Sequence, residues 1–180
     1  MILRHGLAAL ALTALPFAAL AANPDVGGAP MLEERNIVEN AVNSADHTTL
    51  VAAVKAAGLV DALMSDGPFT VFAPVNDAFA ALPAGTVDAL LKPENKDMLT
   101  KVLTAHVVAG DLKLADLRAQ VGRDGLANLR TLSGDALSIR FKGDTAMIYS
   151  ESRNIGRITI GDVDQSNGVI HVIDTVMVPK

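Results

Sequence analysis

The chain has 180 residues, half of them apolar, and carries 15 lysines and arginines against 20 aspartates and glutamates, for a formal charge of −5. That length suits one domain with a short extension, and the acidic balance excludes a nucleic-acid binder, which needs a basic face to displace phosphate counterions. The absence of cysteine excludes disulfides, thiolate chemistry and cysteine-ligated metals.

Residues 1–21 read as a secretory signal peptide. Arg4 and His5 form a weakly positive start, Leu7 to Leu15 an apolar run, Pro16 a helix break, and Ala19-Leu20-Ala21 a small-residue cleavage site. The apolar run is shorter than the about 20 residues that a bilayer span needs. The expected product is therefore exported, periplasmic or extracellular, with no stable membrane insertion after cleavage. Five Phe, one Tyr and no Trp leave Leu, Val, Ile and Ala to build a core that must hold without disulfides.

Residues 22–32, with Pro24, Gly27, Gly28 and Pro30, read as a flexible lead-in, and residues 33–180 as the folded domain. Glu33 and Glu34 favour a helix N-terminus, and Ile37, Val38, Ala41 and Val42 follow at helical spacing. A second helix is expected with Asp46 or Thr48 as cap, Leu50, Val51, Val54 and Ala57 as its buried stripe, and Gly58 as its stop. Leu59 to Met64 gives another helical turn before the turn cluster Ser65-Asp66-Gly67-Pro68. Phe69 to Ala73 reads as a strand ended by Pro74, which lacks an amide hydrogen for the ladder. Asn76 is then expected to cap a helix over Asp77 to Leu82, with Phe79 entering the core.

Gly85-Thr86 opens a further helix that runs to Pro93. Glu94 to His106 is the longest helical pattern, with Met98, Leu99, Val102 and Leu103 on one face. After a turn at Gly110-Asp111, Leu114 to Gln120 forms one more short helix. The pattern then changes to strand-like runs at Leu129 to Leu132, Leu137 to Phe141, Met147 to Tyr149, Ile158 to Ile160 and Val169 to Val178. Turns at Gly134-Asp135, Lys142-Gly143-Asp144 and Asn167-Gly168 separate several of them. Helices first and strands last is an α+β order, not the alternation of a parallel α/β sheet.

The sequence contains no Gly-x-Ser-x-Gly elbow, Walker-type loop or glycine-rich dinucleotide fingerprint. His106, between an apolar helix and Val107-Val108, reads as a core histidine hydrogen-bonded across two segments rather than a general base. His171, mid-strand between Ile170 and Val172, reads as structural, and His47 as exposed at a helix entrance. Asp162 and Asp164 offer two carboxylates for calcium, but without an EF-hand loop they read as a solvated loop. No cofactor or metal is expected, and no catalytic residue is assigned.

Two segments are more specific than their hydrophobicity. Thr70-Val71-Phe72-Ala73-Pro74-Val75-Asn76-Asp77-Ala78-Phe79 and Asn167 to Pro179 resemble the two signatures of the fasciclin (FAS1) domain, and Ala105-His106-Val107-Val108 resembles its central Tyr-His element. The resemblance runs from about Asn36 to Pro179. It implies an α+β fold, a β-sandwich or wedge of about seven strands flanked by several short helices. It also implies a secreted, non-enzymatic role in cell adhesion or extracellular recognition, with a cell-surface or matrix protein or a polysaccharide as partner. Family contacts to integrins fall here on Asp162, Val163 and His106, which are the binding residues the resemblance implies. Ala105 stands where the family has Tyr, which counts against an integrin. The alternatives are a small-ligand or polysaccharide-binding protein, or a hydrolase built on His106 or His171.

Overall fold

The computed structural model describes residues 23–180; the signal-peptide expectation falls on residues outside that range. The described chain opens with a small antiparallel hairpin of β1 (Asp25–Val26) and β2 (Ala29–Pro30). Helices follow: α1 (Ile37–Ala41), a 3-10 turn (Ala45–His47), α2 (Thr48–Ala57) and α3 (Val60–Met64). Strand β3 (Phe69–Pro74) leads into α4 (Asn76–Ala80), α5 (Thr86–Leu90), a second 3-10 turn (Pro93–Asn95) and α6 (Lys96–Thr104). Then come β4 (Val107–Ala109), α7 (Leu114–Ala119), β5 (Ala127–Arg130), β6 (Ala136–Lys142), β7 (Thr145–Ser150), β8 (Ile155–Gln165) and β9 (Gly168–Ile173). Among the described residues no helix is long and apolar enough to cross a membrane.

The seven strands β3–β9 form one sheet in the order β4-β3-β9-β8-β7-β6-β5, with only the β3–β9 pair parallel. A bridge between Val108 and Thr131, and a hydrogen bond from the Leu132 amide to the Val107 carbonyl, bring the two edges together. The sheet is thus nearly closed, which removes most of its exposed edge. The 11-residue β8 makes this possible: two register shifts between Ile158 and Val163 bend it so that it pairs with both β7 and β9. The expected α+β class and count of seven strands hold.

The pleat of β3 and β9 divides the interior into two cores. Val71, Ala73, Ile170 and Val172 face the helices and pack with Leu50, Val54, Phe79, Leu99 and Leu103. Phe72 and Ile173 face into the folded sheet with Leu137, Ile139, Ile148 and Met177, while Leu117 of α7 plugs it. Every residue of β9 is buried, as expected of a strand covered on both faces.

Several local expectations change. The segment 22–32 is a packed part of the fold over its described residues: Val26 and Met31 are buried, and the Ala45 amide donates to the Gly27 carbonyl. The Asn23 side chain pairs with both backbone groups of Asp164, in the manner of an extra strand residue. The Glu94–His106 pattern divides into a 3-10 turn and α6 because Pro93 sits at the turn's first position. The last run leaves the sheet at Ile173, where the Asp174 carboxylate accepts from the Arg157 amide.

Asn76 does cap a helix, but not its own. Its Oδ1 accepts from the Thr49 amide and Thr48 hydroxyl at the start of α2, and its Nδ2 donates to the Ala45 carbonyl. Neither Asp46 nor Thr48 supplies a side-chain cap there; the formal N-cap residue, His47, supplies none either. Asn76→Ala should therefore lower stability by about 1 kcal/mol, read as a urea midpoint, with the loss of amide protection falling at Thr49 rather than in α4. Protection lost first within α4 would return the cap to its own helix.

Asn167 ties more elements than any motif reading suggests. Its Oδ1 accepts from the Ile37 amide at the start of α1, its Nδ2 donates to the Leu63 and Ser65 carbonyls at the end of α3, and its carbonyl accepts from the Phe69 amide entering β3. Asn167→Ala leaves the last bond intact and removes the other three, an expected loss of about 2–3 kcal/mol. A urea midpoint within experimental error of the parent would refute that role.

Candidate functional site

The residues singled out in the sequence separate into framework and surface. His106 follows α6, and its Nδ1 lies 2.8 Å from the Val102 carbonyl while the Met177 amide donates to Nε2 at 2.9 Å. Those partners place the ring proton on Nδ1. Burial lowers its pKa to about 4, so the ring is neutral. His171 is equally committed: Nε2 lies 2.8 Å from the Leu112 carbonyl, and Nδ1 accepts from the Asp162 amide. Its ring stacks on Phe72 at 5.6 Å, and burial holds its pKa below the usual histidine value. Both sequence readings of these histidines as structural agree with this geometry.

His47 differs from its expectation. It is buried, with Nδ1 2.9 Å from the Ser44 hydroxyl and Nε2 without a hydrogen-bond partner. The N-terminal hairpin covers it: Val26 and Met31 share with His47 a small cavity beside Ala73 and Val163. Polar neighbours in sequence suggested exposure, but packing of the hairpin residues decides it. Burial lowers the His47 pKa.

The Asp162 region sits where β8 bends. Asp162 itself has φ 56°, a left-handed conformation that Asp tolerates better than most residues. Its Oδ1 accepts from the Leu114 amide at 2.6 Å, which fastens α7 to β8. Asp164 pairs with Lys113 at 2.9 Å, and this carboxylate, first through its hydrogen bond, raises the lysine pKa. The two carboxylates are therefore tethers to α7 rather than a solvated loop. Among the described residues no cluster of three or more potential metal ligands occurs. Val163 and His106 are both buried, so of the three implied binding residues only Asp162 reaches the surface.

One apolar concavity has no counterpart in any motif of the sequence. A pocket of about 270 Å³ lies between α1, α2, α3 and β3 and reaches the Val107 and Leu132 end of the sheet. Its walls are aliphatic, including Ile37, Val38, Val51, Val54, Val60 and Leu63, with Phe69 and Phe72 as its only aromatics. Lys55, Ser65, Thr104 and His106 are its polar members. Thr104 donates to the Thr100 carbonyl and Ser65 to the Ala62 carbonyl, and His106 is satisfied as described. The helical stripes that line the pocket are legible as apolar faces; the space left between them depends on residues from six elements at once.

Residues 45–179 match the Fasciclin domain. Protein sll1483 of Synechocystis sp. is 51% identical over 143 residues, 79% of this chain and 73% of that one. Immunogenic protein MPB70 of Mycobacterium bovis is 33% identical over 193 residues, covering 97% and 91%. The solved FAS1 domain pair of the insect cell adhesion molecule fasciclin I superposes with a TM-score of 0.58 at 19% identity, over 72% of this chain and 43% of that one. With its two signature segments forming β3–α4 and β9 of a nearly closed seven-stranded sheet, this chain belongs to the fasciclin domain family.

Proposed function

We propose that this protein is an exported, non-catalytic module of adhesion or extracellular recognition, acting in the periplasm or at the cell surface on a surface or matrix protein or a polysaccharide. The observation that carries this reading is the match to the Fasciclin domain over residues 45–179, a family that includes an insect cell adhesion molecule. The chemistry supports it: His106 and His171, the residues a hydrolase would require, have both ring nitrogens engaged by backbone groups. A general base needs a free nitrogen within reach of substrate.

The contact surface is assigned to the bend of β8 around Asp162. Val163 supports it as buried ballast under the bend, and His106 holds the C-terminal segment through Met177. With few aromatic anchors the interface is weak for a single copy, and gains strength through several copies bound together. Deleting the gene should reduce attachment of the producing cells to each other or to a surface, and added purified protein should restore it. Normal attachment in the deletion strain overturns the reading.

A further inference from the structure

We propose that the pocket between α1, α2, α3 and β3 binds a free single-chain fatty acid, its aliphatic tail inside and its carboxylate beside Lys55 at the mouth. This goes beyond the adhesion reading and does not depend on it. Polarity fixes the buried part of the ligand. Every polar side chain lining the pocket except Lys55 already has its hydrogen bonds within the protein. A sugar, peptide or nucleotide would carry polar groups into a space that offers them no partners, whereas a hydrocarbon asks for none.

Size fixes its length. An engineered cavity of about 150 Å³ holds the six carbons of benzene. By proportion, about 270 Å³ takes roughly ten carbons. Apolar pockets near this size with few polar groups are the usual form of small-molecule sites.

Charge fixes the head group. Lys55, Ala62, Ser65 and Leu132 are the exposed lining residues and mark the opening. Lys55 is the charged one, and no ion pair holds it among the described residues. Lys96 reaches back toward the same end of α2, its Nζ 3.4 Å from where a Cβ on Gly58 would stand. The Lys55 ammonium at the rim, with Lys96 near the C-terminal end of the same helix, favours an anion there.

Calorimetric titration of the purified protein at pH 7.5 with decanoate, below its micellar concentration, and with decan-1-ol, below its solubility limit, tests the assignment. One saturable site is expected, with affinity rising about fourfold per methylene from hexanoate and levelling off near decanoate. Val51→Phe fills the pocket and should abolish binding while the urea midpoint holds or rises. Lys55→Glu, on the exposed rim, should weaken decanoate about fivefold or more and leave decan-1-ol unchanged, with a small drop in the midpoint because Lys55 also stands in the last turn of α2. In a flotation assay with phosphatidylglycerol vesicles the protein should stay in the dense fraction. The proposal is overturned by no saturable binding, by binding that survives in a folded Val51→Phe variant, by equal effects of Lys55→Glu on acid and alcohol, or by affinity that climbs without a plateau to hexadecanoate. Flotation with the vesicles would equally overturn a free fatty acid in favour of a membrane lipid chain.

Discussion

Gly168→Ala is expected to yield no stably folded protein. Gly168 begins β9 opposite Phe69 in the parallel β3–β9 pair, with φ 150°. A Cβ built there would stand 1.9 Å from the Phe69 carbonyl oxygen and 2.8 Å from the Phe69 backbone nitrogen and carbonyl carbon. Backbone atoms cannot escape by changing rotamer, so the two strands would have to part at the point where the parallel pair begins. That parting also breaks the bond from the Phe69 amide to the Asn167 carbonyl and opens both cores along their shared strand. The loss should exceed about 4 kcal/mol, a large share of the roughly 5–15 kcal/mol that holds a domain. Gly143→Ala is the control: that glycine sits in the β6–β7 turn at φ 62° with nothing within 4 Å of an added Cβ, so only backbone strain applies, about 1–2 kcal/mol. Circular dichroism and urea unfolding of both variants decide the matter. A Gly168→Ala midpoint equal to that of Gly143→Ala would show that the strands do not approach as closely as described.

That glycine shows where sequence reading succeeds and where it stops. Asn167-Gly168 is legible as the turn that launches a strand, and β9 does begin there. The reason for glycine is the backbone of β3, nearly a hundred positions earlier, and only the register of a parallel pair reveals it. Asn76 repeats the lesson: an Asn beside a helix start is legible as a cap, but the helix it caps lies 27 residues upstream. His106 and His171 were readable as core residues because their neighbours on both sides are apolar. His47 was not, since its cover comes from Val26 and Met31 across a hairpin that composition marked as flexible. Asp162 is singled out in the sequence as a contact residue by the family resemblance alone, while the tether it makes to Leu114 arises where β8 shifts register twice, which no periodicity encodes.

The buried histidines should make the protein acid-labile well above the pH at which ordinary carboxylates titrate, and for His106 the window can be stated. Its folded pKa is about 4, against about 6.5 in an unfolded chain. Between those values the unfolded chain binds the extra proton, so stability rises with pH through that window. The contribution is complete above pH 6.5, is lost as pH falls toward 4, and changes no further below that. At about 1.4 kcal/mol per unit the loss is about 3 kcal/mol. Burial lowers His47 and His171 in the same direction, so they steepen the same limb. The structural cause is specific: protonating Nε2 of His106 would point a second N–H at the Met177 amide that now donates to it, releasing the C-terminal segment from α6. His106→Ala should cost about 4 kcal/mol at pH 7.5, from the unpaired Met177 amide together with the cavity left, and its unfolding free energy should depend on pH by about one proton less between pH 6.5 and 4. Urea midpoints at pH 7.5, 5.5 and 4.5 read both effects. A parent protein equally stable at all three values, or a variant with an unchanged slope, would mean that the imidazole is not held neutral between Val102 and Met177.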